Sequence, residues 1–132
     1  MPHIAMHHAV DPRDALLKRL GDFSDVEIFN NQILLAVYVR PEITAGGIAL
    51  HPEYVKEDEV QSKVGLIIAM GNDAGDDPTG KWFRGIKRKL VVGDWIIFRP
   101  TDAWAITVNK VMCRVIDDNL VRGRTAHPDT VY

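Results

Sequence analysis

Short runs of β-forming residues, each closed by turn residues, constrain the fold of this chain most strongly. Between residues 28 and 116 no long helical pattern separates them. Parallel strands need crossover connections, usually helices, so the pattern argues against a parallel α/β sheet. It is typical of an all-β barrel or sandwich. We predict strands at residues 33–39, 64–70, 95–98, 104–108 and 110–116.

A short helix is predicted before the first strand. Asp11 suits the N-cap, Pro12 suits the first helical position, and Gly21 can end the helix. The apolar stripe consists of Leu16, Leu17 and Leu20. A helix of about ten residues is not stable alone in water. We therefore expect it to pack on its own domain, on a neighbouring subunit or on another protein.

A glycine pair precedes a short apolar stretch between the first two predicted strands. The stretch reads Gly46, Gly47, Ile48, Ala49 and Leu50, and charged residues are frequent between 53 and 59. Glycines give the backbone conformational freedom that a strand in a core does not need. The pattern favours a loop that reaches out and docks apolar side chains on a partner.

The segment 71–90 interrupts the strand pattern and is predicted to form a flap. Acidic residues come first, and basic residues then surround two aromatic ones: Lys81, Trp82, Phe83, Arg84, Lys87, Arg88 and Lys89. Such interleaving can grip phosphates and stack on bases. The alternative is a solvated hairpin whose aromatic side chains pack on the barrel. Because Asp73, Asp76 and Asp77 would weaken the positive field, we do not expect a nucleic-acid partner.

Composition indicates one domain outside membranes. The 132 residues suffice for a single core, and the net charge of -2 does not point to nucleic acid or an anionic membrane. No apolar run approaches the ~18 residues of a membrane span. The single cysteine excludes an intrachain disulfide and fits a reducing compartment. The N-terminus has no secretory pattern, so we expect a cytoplasmic protein.

The residues give little support for catalysis or metal binding. There is no Gly-x-Ser-x-Gly nucleophile motif. His3, His7 and His8 cluster near the N-terminus, but no cysteine pair or acidic residue stands at a zinc-ligand spacing from them. Cys113 lies in an apolar run and is interpreted as a core residue. We expect no enzymatic activity, no metal and no cofactor.

Four stretches, in this order, resemble the ten-kilodalton co-chaperonin (GroES-like) family. Residues 29–35 resemble its opening strand, and residues 45–50 resemble its mobile loop with the core Gly-Gly-Ile-x-Leu. Residues 64–71 resemble the strand Gly-x-Val-x-Ala-Val-Gly, and residues 92–98 resemble Val-Gly-Asp-x-Val-x-Phe. The resemblance covers residues 28–116. It implies a small GroES-like β-barrel. Residues 1–27 precede the barrel as an N-terminal arm, and the polar tail 117–132 is expected to be extended or to be ordered only by a neighbour.

The resemblance also implies a function as a lid. Subunits of this family form a homo-oligomeric ring, a heptamer, that caps the chamber of a chaperonin ATPase and assists ATP-dependent folding. Residues 46–50 would dock on the chaperonin, and the flap would form the roof. Neighbouring subunits would join through their first and last strands, which bring Ile33, Leu34 and Leu35 beside Val111, Cys113 and Val115. The ring would work in the bacterial host cytoplasm.

The departures from the family pattern support an alternative. The arm, the longer flap and the tail beyond residue 116 point to a phage-encoded relative. Such a relative is either an adapted lid or a virion structural protein that reuses the barrel. In the virion it would be a capsid, connector or decoration component, with its extensions against neighbouring subunits. The sequence leaves both hypotheses open.

Overall fold

One antiparallel sheet dominates the structure. The computed structural model describes residues 11–40, 57, 59–76 and 88–131. The six strands lie in the order β4-β5-β1-β2-β3-β6. Their bounds are Gln32–Val37 (β1), Val64–Met70 (β2), Trp95–Ile97 (β3), Trp104–Val108 (β4), Val111–Asp117 (β5) and Gly123–Thr125 (β6). The mostly-β prediction is confirmed. Within the described residues the sheet is open, with β4 and β6 at its edges.

The central strand β1 pairs with β2 on one side and with β5 on the other. Ile33 lies opposite Ile116, and Leu34 lies opposite Val115. The sequence analysis expected contact between these strands across subunits, whereas the structure pairs them within one chain. Ile33, Leu34, Leu35 and Cys113 are fully buried, Val111 is nearly so, and Val115 is partly buried. These side chains are covered by their own chain because β1 has neighbours on both sides and apolar residues on both faces.

Apolar residues cover both faces of the sheet, because neighbouring side chains along a strand point to opposite faces. We call the two clusters the helix-side core and the second core. The helix-side core includes Leu34, Tyr38, Leu66, Trp95 and Cys113, together with Leu16 and Leu20. The second core comprises Ile33, Leu35, Ile67, Leu90, Ile96, Phe98 and Ile116. Fully burying a side chain of this kind stabilises the fold by about 1.5–3 kcal/mol.

Helix α1 (Pro12–Leu20) begins and ends where the sequence predicts. The Asp11 carboxylate accepts a hydrogen bond from the backbone N–H of Arg13 at 2.8 Å, and Gly21 follows with a φ of 63°. Leu16 and Leu20 bury against the helix-side core. Of the three packing options left open by the sequence, the structure therefore has the helix on its own sheet.

The C-terminal tail adds a strand, which the sequence analysis did not predict. β6 pairs antiparallel with β3, so that Trp95 lies opposite Thr125 and Ile97 opposite Gly123. Residues 123–125 of the tail thus pair within their own chain. Among the described residues, no helix is both long enough and apolar enough to cross a membrane.

Candidate functional site

The segment predicted to dock on a partner connects two adjacent strands. Val37 of β1 pairs with Gly65 of β2, and the next backbone hydrogen bond runs from Tyr38 N–H to Val64 O at 3.0 Å. The chain leaves this end of the sheet after Arg40. The predicted docking residues Gly46, Gly47, Ile48, Ala49 and Leu50 lie outside the described residues. What the structure provides is the pair of strand ends that this segment connects.

A buried arginine holds the return end of that segment. Residues 59–61 are helical and lead into β2. The Arg114 guanidinium on β5 donates to Val60 O at 3.0 Å. It also donates to Pro100 O and Ala103 O, both at 3.3 Å, in the connection between β3 and β4. The sequence analysis missed Arg114, because nothing near it in sequence identifies carbonyl partners 11 to 54 positions away.

A cavity of about 470 Å³ lies at the strand ends that this segment connects. Its described lining combines apolar and polar residues with two basic and two acidic ones: Tyr38, Arg40, Glu57, Val60, Gln61, Ser62, Lys63, Pro100, Thr101, Asp129 and Val131. Volumes of this size hold small ligands or buried side chains. The described lining residues offer apolar contact, and their charges balance.

Only the end of the predicted basic flap is described. Lys81, Trp82, Phe83, Arg84 and Lys87 lie outside the described residues. Arg88 forms a bidentate ion pair with Asp94, with N–O distances of 2.8 and 3.0 Å. Lys89 Nζ lies 2.8 Å from Asp76 Oδ1 and so joins the two ends of the flap. Both described cations therefore already have carboxylate partners, which weakens the case for a phosphate-binding surface here.

Asp94, Arg88 and Arg124 form a charged cluster, which we call the flap clasp. In addition to those from Arg88, Asp94 accepts hydrogen bonds from Val91 N–H at 3.0 Å and from Arg124 Nη1 at 3.3 Å. Burial acts to raise the pKa of the Asp94 carboxyl, but these hydrogen bonds and the charge of Arg88 outweigh it and lower the pKa. Arg124 lies on β6, in the segment that the sequence analysis treated as a tail, so its role was missed.

The turn that leads into the flap is packed tightly against the start of β1. A Cβ on Gly71 would lie 2.2 Å from Asn30 O and 2.5 Å from Phe29 O. The buried Asp118 carboxylate accepts from Gly75 N–H at 2.9 Å and from Asn31 Nδ2 at 3.1 Å. The sequence predicts this turn after the second strand. Asp118, which fixes its far end, comes from the segment after β5.

The remaining candidate chemistry is limited. Cys113 is buried in the helix-side core, and this burial raises the pKa of its thiol to about 11. The thiol is therefore protonated near neutral pH and is a core residue, as the sequence predicts. His3, His7 and His8 lie outside the described residues. Among the residues that the structure describes, no three His, Cys, Asp or Glu side chains are arranged to hold a metal ion.

No protein-family model matches the sequence, and no curated protein matches it either.

Proposed function

We propose that this chain is the subunit of a co-chaperonin-like ring that caps a chaperonin and assists ATP-dependent protein folding. One observation carries the proposal. The segment with the sequence Gly-Gly-Ile-Ala-Leu connects two adjacent antiparallel strands whose side chains are buried, β1 and β2. A firm base combined with a glycine-rich, apolar tip is what a docking loop requires.

Docking would work by apolar burial at several points. Ile48 and Leu50 would each contribute about 1.5–3 kcal/mol on entering an apolar groove. Ordering a glycine-rich segment costs part of this, so one loop binds weakly. A ring presents several loops, and their linkage makes the complex tight while each contact stays reversible. The partner ATPase would supply hydrolysis, and the flap would lie over the chamber as a roof.

The distribution of apolar residues supports a GroES-like barrel as the finer fold. Residues of β1, β2, β3 and β5 fill the second core together with Ala103, Leu120 and Val121 from the connections. No helix among the described residues covers this face; α1 packs on the other one. We infer that the sheet curves so that its own connections cover this face, as in a partly open barrel.

Ring assembly would use strand edges other than those first expected. Both edges of β1 are occupied within the chain. Among the described strands, β4 and β6 have one free edge each. Trp104 at the start of β4 is 71 % exposed. A contact that joins β4 of one subunit to a neighbour would cover this indole, and an exposed apolar side chain of that size at a sheet edge favours assembly.

The test replaces the apolar tip of the loop. We expect the double variant Ile48→Asp, Leu50→Asp to form the same ring but to lose ATP-dependent capture by a bacterial chaperonin. A control with the same added charges, Thr44→Asp with His51→Asp, should retain most of the capture. If the wild-type ring is not captured, or if the double variant binds as well as wild type, the proposed function is wrong.

One argument for the alternative, a virion structural protein, is weaker. That argument was an N-terminal arm that lies against neighbouring subunits. The described part of the arm instead packs on its own sheet through Leu16, Leu20 and Phe23. Mass spectrometry of purified phage particles distinguishes the two functions: the chain belongs in the particles under the alternative and is absent from them under the proposal.

A further inference from the structure

Arg114 is a charged residue in an apolar environment. It is only 9 % exposed and lies opposite Leu35 of β1. Leu35 belongs to the second core, and residues opposite each other in an antiparallel pair point to the same face. The guanidinium group therefore lies against the second core, where an aliphatic side chain would be the ordinary choice.

The described hydrogen bonds of this guanidinium are all with neutral carbonyl oxygens. Nη2 binds Val60 O, and Nη1 binds Pro100 O and Ala103 O. Its Nε has no hydrogen-bond partner in the described part of the chain, and no carboxylate there forms an ion pair with it. Burial lowers the pKa of the guanidinium, but an arginine stays protonated in proteins. Among the described residues this buried cation thus has no counter-ion.

Global stability does not account for an arginine at this position. A buried charge without an opposite partner is unfavourable, and replacing buried charged groups by apolar ones of similar volume is often neutral or stabilising. What an apolar side chain cannot do is bind several carbonyls at once with donors in a rigid fork. The carbonyls held here come from the return end of the 41–56 segment and from the connection between β3 and β4.

We propose that Arg114 is a positioning residue that fixes where the 41–56 segment returns to the sheet. Val60 O is at the end of a single helical turn, where backbone carbonyls lack partners within the helix. Arg114 ties this turn to β5 and to the 3₁₀ turn Pro100–Asp102. Removing the tie frees the residues before β2, and fixing them again when a partner binds costs conformational entropy. Only the consequence for partner docking rests on the proposed function.

Hydrogen–deuterium exchange on the full chain tests the assignment. In Arg114→Met we expect amides of residues 59–63 to exchange about tenfold faster or more, since hydrogen bonds to a charged group are lost. Exchange in β1 and β2 should stay within about twofold, because the core is unchanged. Arg99→Met is the control: Arg99 is exposed, and its described ion-pair contact is a distant one with Asp102, at 3.9 Å.

Two results would overturn the assignment. One is unchanged exchange at residues 59–63 in Arg114→Met. The other is an equal increase in amide exchange throughout the sheet, which would mean that Arg114 stabilises the whole fold. If Arg114→Met does not fold, Arg114→Lys serves instead. It keeps the charge but has no fork, so exchange at 59–63 should again rise while that in β1 and β2 does not; unchanged exchange there also overturns the assignment.

Chaperonin capture is measured separately on the same proteins. A loosened return end should weaken capture of the Arg114→Met ring by about tenfold or more, because each loop is costlier to order and the loops act together. If wild type is not captured at all, the proposed function is wrong, and the exchange result still decides the role of Arg114. If exchange rises locally but capture of the variant equals that of wild type, the link from Arg114 to docking is wrong.

Discussion

Two neighbouring residues, Asn109 and Lys110, form the turn between β4 and β5, with positive φ angles of 49° and 67°. Two-residue hairpins of this kind favour Asn-Gly, because glycine adopts positive φ without steric cost. Asn109 has a second role: its Nδ2 donates to Leu20 O at 2.6 Å and to Asp22 O at 3.0 Å, at the end of α1. The two residues share a backbone conformation but differ in what their side chains bind.

This difference predicts opposite effects of glycine in the hairpin. We expect Lys110→Gly to raise the free energy of unfolding by about 0.5–1 kcal/mol, since it relieves a left-handed conformation at a side chain that makes no described hydrogen bond. Asn109→Gly should lower it by about 1–2 kcal/mol, because the end of α1 loses its donor. Urea denaturation of both variants measures this. A stabilised Asn109→Gly would contradict the role given to its amide.

Gly71 is required by the close approach of another backbone. A Cβ would meet the carbonyl oxygens of Asn30 and Phe29, which cannot move without shifting the start of β1. We expect Gly71→Ala to destabilise the fold by about 3 kcal/mol or more. The control is Gly123→Ala, where the nearest atom is the flexible Ile97 Cδ1 at 3.3 Å, and the cost should stay below about 1 kcal/mol. Thermal unfolding compares them; equal melting temperatures would refute the argument.

At the scale of elements, the flap clasp should make the free energy of unfolding depend on pH. Its Asp94 side chain is 8 % exposed. Since the pKa of Asp94 is lower in the folded than in the unfolded chain, the stabilisation is present above the unfolded value, 3.8. It is lost as the pH falls through the folded value. Asp94→Asn should cost about 1–3 kcal/mol at pH 7, and its difference from wild type should shrink in acid. Urea curves from pH 7 downward measure both; a constant difference would contradict the assignment.

The sequence predicted those elements whose signals are local. Asp11, Pro12 and Gly21 mark α1, and apolar runs mark the first five strands. β6 was missed because Gly123, Arg124 and Thr125 show no apolar alternation, and pairing with β3 alone makes them a strand. The pairing of β1 with β5 was assigned to different subunits, since a strand pattern does not say which chain supplies the partner. Arg114 and Arg124 were missed because the groups that they bind are distant in sequence.

For the whole molecule, the proposal predicts a ring. We expect native mass spectrometry to give an assembly of about seven times the 14.8 kDa of one chain, independent of any chaperonin. Trp104→Lys should reduce this assembly, because a charged side chain at the edge of β4 would oppose strand pairing. The secondary structure, measured by circular dichroism, should not change. A monomer at micromolar concentration would contradict the ring, and an unchanged ring in Trp104→Lys would exclude β4 as its edge.

The position of β1 at the centre of the sheet has a consequence for biosynthesis. β1 ends at Val37, but one of its two partners, β5, begins at Val111. A ribosome that releases the chain from the N-terminus therefore leaves one edge of β1, whose last five residues are all buried in the fold, unpaired until β5 has been made. Pairings between such distant residues also form slowly. A chain of this design spends its most vulnerable period as a nascent polypeptide, when it can itself become a client of the cell's folding machinery.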